Sequence, residues 1–362
     1  MTDRRPDRLE ALLARLSRDN LDALVVSHAP NIRYLSGFSG SAGLLLVTNR
    51  GALFITDFRY ETQAAEEIGD LARIVIDGTG AWERLVKLIP DYGVRAVGFE
   101  AHVLTVREAD RLAADKLPCS FCPVAEHVEA LRAIKSPEEI AAIRAAASLA
   151  GEALAEVIRQ VRAGQTEQEV AALLEGALRR GGTEGYPFPT IVASGPRSAL
   201  PHARTTARVI APGDFLLLDF GAIVDGYVSD VTRTFVVGAP PTARQLDTFR
   251  LVAGAQRAAL AGLRAGLSGR QADALARDVL EAAGQGTAFG HSLGHGIGLE
   301  VHEAPRLART ADQVLPAGAV VTVEPGVYYS GWGGVRLEDD VALSDGGTAL
   351  LTQFPRELLV LG

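Results

Sequence analysis

The sequence holds only two cysteines in 362 residues, Cys119 and Cys122 of PCSFCPV. A lone CxxC excludes a disulfide framework or a zinc knuckle built within the chain, and leaves a structural pair on a short strand or a redox pair. Positive charge is also scarce. Against 44 Asp and Glu stand 36 Lys and Arg, a net charge of −8 spread along the chain with no basic stripe, which argues against a nucleic-acid partner. Long hydrophobic runs are missing: no stretch of 18 apolar residues occurs, and MTDRRPDRLEALLARLSRDN is a charged helix pattern without the apolar core of a signal peptide. These absences predict a cytoplasmic protein with no membrane partner. Low-complexity tracts and solenoid repeats are missing too. What is present is a globular balance, 48% hydrophobic and 22% charged, at a length that suggests two domains or three.

From Pro6 to about Val124, short apolar runs alternate with amphipathic helical stretches: ALVV, GLLLVT, ALFIT, RYETQAAEEI, RIVI, AWERLVKLI, AVGFE, TVREADRLAADKL and SFCPV. That alternation predicts a three-layer α/β domain. Near Ala125 the pattern changes. Ser136 with Glu139 makes a capping box, with Pro137 at the first helical position, and Thr166 with Glu169 makes another whose helix Gly181 and Gly182 end. Strands follow, then two more helices, at about 242–263 and 270–283, and a strand-rich tail. Helices precede strands twice, which predicts two related α+β halves.

Within FLLLDFGAIVDGYVSDVTRTFVV, Asp225-Gly226 is a strong two-residue hairpin signal. If Val224 faces Tyr227, then Asp219 and Asp230 lie two residues off that register, diagonally on one face, with α-carbons roughly 7 to 8 Å apart. Converging carboxylates among apolar strands repel each other unless a cation sits between them. Taken alone, the pair reads equally well as a turn residue and a solvated aspartate. Glu324, ending AVVTVE, and Glu338, after GGVRL, add two more acids where alternation would place something apolar. Two divalent ions, roughly 3.5 to 4 Å apart, would offset four such charges and hold a bridging hydroxide as nucleophile, with one imidazole completing the site.

HSLGHGIGLEVHE, residues 291–303, supplies imidazoles. His291 and His295 have the spacing of a helical zinc clamp. Yet Gly294, Gly296 and Gly298 would each cost about 1 kcal/mol against alanine in a helix. A loop and strand are predicted instead, and on a strand the two histidines stand about 13 Å apart, too far for one ion.

Together these segments resemble the pita-bread metallopeptidases, in the branch of Xaa-Pro aminopeptidases and Xaa-Pro dipeptidases (prolidases). The resemblance covers nearly the whole chain and implies an α/β plus α+β architecture: a creatinase-like N-terminal domain over residues 1–130 and a pita-bread catalytic domain over 131–362. It implies metal ligands at Asp219 of LLDFGA, Asp230 of SDVTRTF, His295 of GHGIGLEVHE, Glu324 of TVEPGVY and Glu338 of VRLEDD. His202 of ASGPRSALPHA matches the family histidine that contacts the substrate carbonyl; His291 and His302 match active-site histidines flanking the ligand. Arg336 is read as a guanidinium orienting a carboxylate, against a solvated surface arginine. In the implied mechanism the hydroxide attacks the carbonyl before proline, Glu324 accepts a proton, and His202 and His302 stabilise the oxyanion and protonate the leaving nitrogen.

Four carboxylates and one imidazole suit Mn(II), with Co(II), Zn(II) or Fe(II) as alternatives. NIRYLSGFSGSAG and FITDFRYETQA resemble the short bacterial aminopeptidase P group, which favours an Xaa-Pro aminopeptidase acting on peptide substrates over a dipeptidase. A dipeptidase needs a cation for the substrate's carboxylate, and Arg306 or Arg309 could provide it. The resemblance also implies a homodimer. Metal-free hydrolases and non-catalytic binding proteins share the fold, but they lose the metal ligands that this chain retains.

Overall fold

Alternating apolar residues in the first third of the chain pair into one six-stranded sheet. Its order is Ala72–Ile76, Gly51–Thr56, Leu44–Thr48, Ala23–Val26, Ala96–Glu100 and Ser120–Val124. The computed structural model describes residues 3–114 and 118–362, and the chain divides into two compact units, Met1–Arg132 and Ala133–Gly362. In the first unit Ala23, Val25, Leu46 and Val97 pack on one sheet face with Leu85, Leu88 and Leu112 from helices Ala81–Leu88 and Val106–Ala114. Helix Arg5–Arg18 packs against strands Ala23–Val26 and Leu44–Thr48. Helices on a largely buried sheet make the expected α/β layers. The end of TVREADRLAADKL falls outside the described residues, and Cys119 and Cys122 are free, half-buried thiols at the sheet's edge strand.

The second unit runs helices, strands, helices, strands. Helices Pro137–Val157 and Glu167–Gly181 carry both predicted capping boxes, and Gly182 closes the second with a left-handed φ of 97°. Helices Ala243–Gly262 and Gly269–Ala282 start with the same device built from glutamine, Thr242 with Gln245 and Ser268 with Gln271. After the first helix pair comes a four-stranded sheet in the order Val360–Leu361, Val231–Val237, Phe215–Phe220, Ile191–Ser194. The second pair leads into a five-stranded sheet, Glu303–Leu307, Gly294–Gly296, Val320–Val323, Asp339–Ser344, Gly347–Leu350. Each sheet buries its apolar face under its own helices, in clusters around Leu154 and Leu218 and around Val252 and Val341.

The Asp225-Gly226 turn forms with both residues at positive φ, 51° and 74°. Val224 faces Tyr227, and the register carries through to Asp219 opposite Thr232. The ladder is nevertheless interrupted between those pairings. A Cβ on Gly221 would lie 1.9 Å from the Ser229 carbonyl oxygen, so only glycine lets the two strands pinch there.

Candidate metal centre

Five strand ends deliver the acids and the imidazole. Asp219 lies near the end of Phe215–Phe220, and Asp230 just ahead of Val231–Val237. His295 sits in Gly294–Gly296, Glu324 follows Val320–Val323, and Glu338 links Gly333–Arg336 to Asp339–Ser344. Glycine again makes this possible: a Cβ on Gly294 would lie 2.0 Å from the Thr322 carbonyl oxygen. The glycines of HSLGHGIGLEVHE therefore serve strand approach around His295. His291 lies ahead of the strand, so the extended-strand spacing does not apply to it.

Donor atoms of Asp230, His295 and Glu338 lie within 4.8 Å of one another. Glu324 places its Oε1 3.4 Å from His295 Nε2 and its Oε2 3.9 Å from His291 Nδ1. Asp230 Oδ2 is 3.9 Å from the same His295 nitrogen. The His295 Nδ1 lies 3.1 Å from the Gly296 carbonyl, which assigns the ring proton to Nδ1 and leaves Nε2 a bare acceptor. A bare ring nitrogen thus faces carboxyl oxygens of two acids, too far for short hydrogen bonds and close enough to share a cation. Asp219 Oδ1 and Asp230 Oδ1 are buried without hydrogen-bond partners, an exception to the rule that buried polar atoms are satisfied.

Electrostatics follow from that crowding. Burial first, then the charges of Glu338 and Asp219, drive the Asp230 carboxyl well above its usual range. Glu324 is raised by burial and Glu338, and Glu338 is raised by burial and Asp219 to about 8. Burial lowers His295 to about 4, keeping it neutral as a metal ligand must be. A divalent cation is the group that these donors fit.

Outer contacts fix the donors. Thr232 donates to Glu338 at 2.5 Å, Thr322 donates to Glu324 at 3.3 Å, and the Asp230 amide donates to Asp340 at 3.0 Å. Arg336 is buried, and the carboxylate it grips through Nη2 is that of Asp219 rather than its near neighbour Glu338. Its other donors reach Thr232 Oγ1 at 3.0 Å, the Pro201 carbonyl at 3.2 Å and the Tyr328 hydroxyl at 2.9 Å. By holding Pro201 it fixes the loop that carries His202.

Tyr328 escaped the sequence reading, although it stands four residues after Glu324 in VEPGVYY. Its hydroxyl lies 2.9 Å from His291 Nε2, while His291 Nδ1 reaches the Ser292 carbonyl at 2.8 Å. Both His291 nitrogens are thus engaged by the protein, and burial lowers this imidazole to about 4. His302 and His202 are more exposed. The His302 ring stands edge-on to His295 at 4.3 Å between centroids, and burial followed by the nearby charge of His202 lowers its pKa.

Comparison with known proteins adds an independent line. The model of metallopeptidase family M24 matches residues 141–345, and the creatinase/prolidase N-terminal domain matches residues 8–134. A solved Xaa-Pro dipeptidase from Bacillus anthracis is 40% identical, with a TM-score of 0.95 over 99% of this chain and 100% of that one. An X-Pro aminopeptidase from Thermotoga maritima is 36% identical, with a TM-score of 0.91 over 98% and 99%. An Xaa-Pro dipeptidase of Pyrococcus horikoshii is 35% identical over 98% of this chain and 99% of its own.

Proposed function

This chain belongs to metallopeptidase family M24, and from that premise we propose that it is an Xaa-Pro dipeptidase using two divalent ions held by Asp219, Asp230, His295, Glu324 and Glu338. The observation that carries the metal reading is the convergence of donor atoms of Asp230, His295 and Glu338 within 4.8 Å, with Asp219 Oδ1 and Asp230 Oδ1 buried and without hydrogen-bond partners. Four carboxylates and one imidazole suit Mn(II) among the first-row ions. When bound, such ions polarise the scissile carbonyl and supply a nucleophilic water at neutral pH.

The chain's own residues do the rest. Glu324, with one oxygen toward each of His291 and His295, accepts the proton of the attacking water. His302 and His202 line the more open side, where they donate to the developing oxyanion and return a proton to the leaving imide nitrogen. His291 acts as a positioning residue: with Tyr328 and Arg336 it forms a hydrogen-bonded string that ends on Asp219.

The preference for a dipeptidase replaces the aminopeptidase expectation drawn from the N-terminal segments. Those segments carry no information about the far end of the substrate. Relatives at 40% and 35% identity bear the name dipeptidase, although the 36% relative is an aminopeptidase. Arg306 supports the same choice. It is exposed, pairs with His295 across the sheet, and its charge helps to lower both His295 and His302. Arg309 is instead engaged by Glu281. Arg306 therefore holds the carboxylate of an Xaa-Pro dipeptide.

The test compares Xaa-Pro with Xaa-Pro-Yaa hydrolysis. The dipeptide has the higher kcat/KM, and Arg306→Ala raises its KM by about 10 to 100-fold, the value of a charge-assisted hydrogen bond. Equal or faster cleavage of the tripeptide would sink the assignment. Manganese and a homodimeric assembly belong to the same reading, checked by metal analysis and sedimentation.

A further inference from the structure

In the N-terminal unit, strands Ala23–Val26 and Ala96–Glu100 are parallel neighbours in the middle of the sheet. From the first the chain works outward to Leu44–Thr48, Gly51–Thr56 and Ala72–Ile76; from the second it goes the other way, to Ser120–Val124. The helices that follow also part. Val106–Ala114 sends Leu112 into the cluster with Leu85 and Leu88, whereas Ala29–Ser36 packs on helix Arg5–Arg18, outside that cluster. Such a divergence is a topological switch point, and the crevice beyond the carboxyl ends of its strands is where open α/β sheets bind ligands.

Two histidines leave those strand ends. His28 follows the first strand and His102 the second, and Glu129 reaches them from the short helix Glu129–Arg132. Ring nitrogens of both histidines and a Glu129 oxygen lie within 4.8 Å of one another. His102 Nε2 is 3.0 Å from Glu129 Oε1, and the two imidazoles meet edge to face with centroids 5.8 Å apart.

The groups beneath are held in place. Buried Glu100 accepts the backbone amides of Ser27 at 2.7 Å and His28 at 2.8 Å, which fixes the stretch of chain that bears the His28 ring. The Asn31 amide donates to Glu129 Oε1 at 2.5 Å and to Glu100 at 2.6 Å, while Arg132 holds the Asn31 oxygen at 2.7 Å. This is the outer support that orients metal-binding side chains.

We propose that His28, His102 and Glu129 form a site for one divalent transition-metal ion of the zinc type, distinct in donor chemistry from the carboxylate-rich centre. Two imidazoles and one carboxylate with an open fourth position are a zinc-like donor set, whereas four carboxylates and one imidazole favour a harder ion. The ion ties together three segments far apart in sequence. A plain hydrogen bond from His102 Nε2 to Glu129 is the competing account, and it needs the ring proton that a metal would displace.

The test uses the full chain carrying Asp230→Ala, which cripples the carboxylate-rich centre. The protein is dialysed against zinc, passed through gel filtration, and its zinc counted by inductively coupled plasma mass spectrometry. Adding His102→Ala removes one equivalent per chain, and Glu129→Gln, which keeps the bond from Asn31, removes the same equivalent independently. Crystals of the zinc-soaked protein with Asp230 intact show an anomalous peak about 2.0 to 2.2 Å from the His28 and His102 nitrogens and a Glu129 oxygen. Because the readout is the difference caused by His102 or Glu129, it stands whether or not the peptidase reading holds. Zinc content unchanged by both substitutions, zinc lost wholly on gel filtration, or no peak at these residues would each overturn the proposal.

Discussion

Glu100 in the N-terminal unit and Asp230 in the C-terminal unit are almost equally removed from solvent, 3% and 5% exposed. Glu100 accepts from the amides of Ser27 and His28, the Ser27 hydroxyl and the Asn31 side chain. Asp230 has an oxygen with no hydrogen-bond partner and faces Glu338, Asp219 and Asp340. One carboxylate is a completed structural bond; the other leaves an oxygen unmatched among acids, the arrangement that a cation fits. Burial alone does not distinguish them, but the accounting of donors does. The same contrast recurs inside LEDD. Asp339, fully buried, is matched by Arg233, Gln256 and Arg356, while Glu338 beside it points into the centre.

Removing each acid breaks the comparison most sharply. Asp230→Ala lowers kcat/KM for Xaa-Pro substrates by on the order of 10³-fold or more, as does chelation of the wild-type protein. Calorimetry of the chelated forms is expected to show the variant folding at least as stably as wild type, because a buried carboxyl with an unpartnered oxygen is gone. A large loss of metal-free stability would mean that Asp230 has a structural partner. Glu100→Ala gives the converse result: about 3 kcal/mol of unfolding free energy is lost in urea titration, since several donors are left unmet.

Between these extremes lies Tyr328→Phe, which keeps the ring and cuts the link between His291 and Arg336. A fall of about 10 to 100-fold in activity or metal affinity is expected, measured by steady-state rates against manganese concentration. An unchanged affinity and rate would leave the string without a role.

The smallest effect is a pH dependence of the metal-free protein. Glu338, raised from 4.5 to about 8, binds a proton in the folded chain that the unfolded chain has already released. Stability therefore declines as pH rises toward 8. His291 and His295, lowered from 6.5 to about 4, act in the opposite sense, but only below 6.5, where unfolded imidazoles take up protons. From pH 6.5 to 8 the acids act without that opposition, and the chelated protein loses on the order of 1 kcal/mol across the window. Thermal melts with and without manganese check this, since bound metal removes the slope.

Much of the centre was legible because its logic is local. The turn at Asp225-Gly226 sets the register that brings Asp219 and Asp230 to one face, and both are nearby in sequence. The glycines of HSLGHGIGLEVHE ruled out a helix, and a short strand forms there. What escaped depends on long-range pairing. Arg336 was read as orienting a carboxylate, but the one it grips, Asp219, lies 117 residues away, and Tyr328, not read at all, is 37 residues from His291. No spacing rule reaches that far. The glutamine capping boxes at Thr242 and Ser268 were open to the same rule that found the first two.

The turn at Asp225-Gly226 also makes the centre sensitive to parity. Side chains alternate faces along a strand, so one residue inserted into a paired strand outside the turn sends the second aspartate to the opposite side of the ribbon unless a bulge absorbs it. Inserting two restores its side. Length changes in the paired strands are therefore tolerable in even steps or where a bulge takes up the odd residue, a constraint on how this stretch can drift that acts through counting rather than through the identity of any residue.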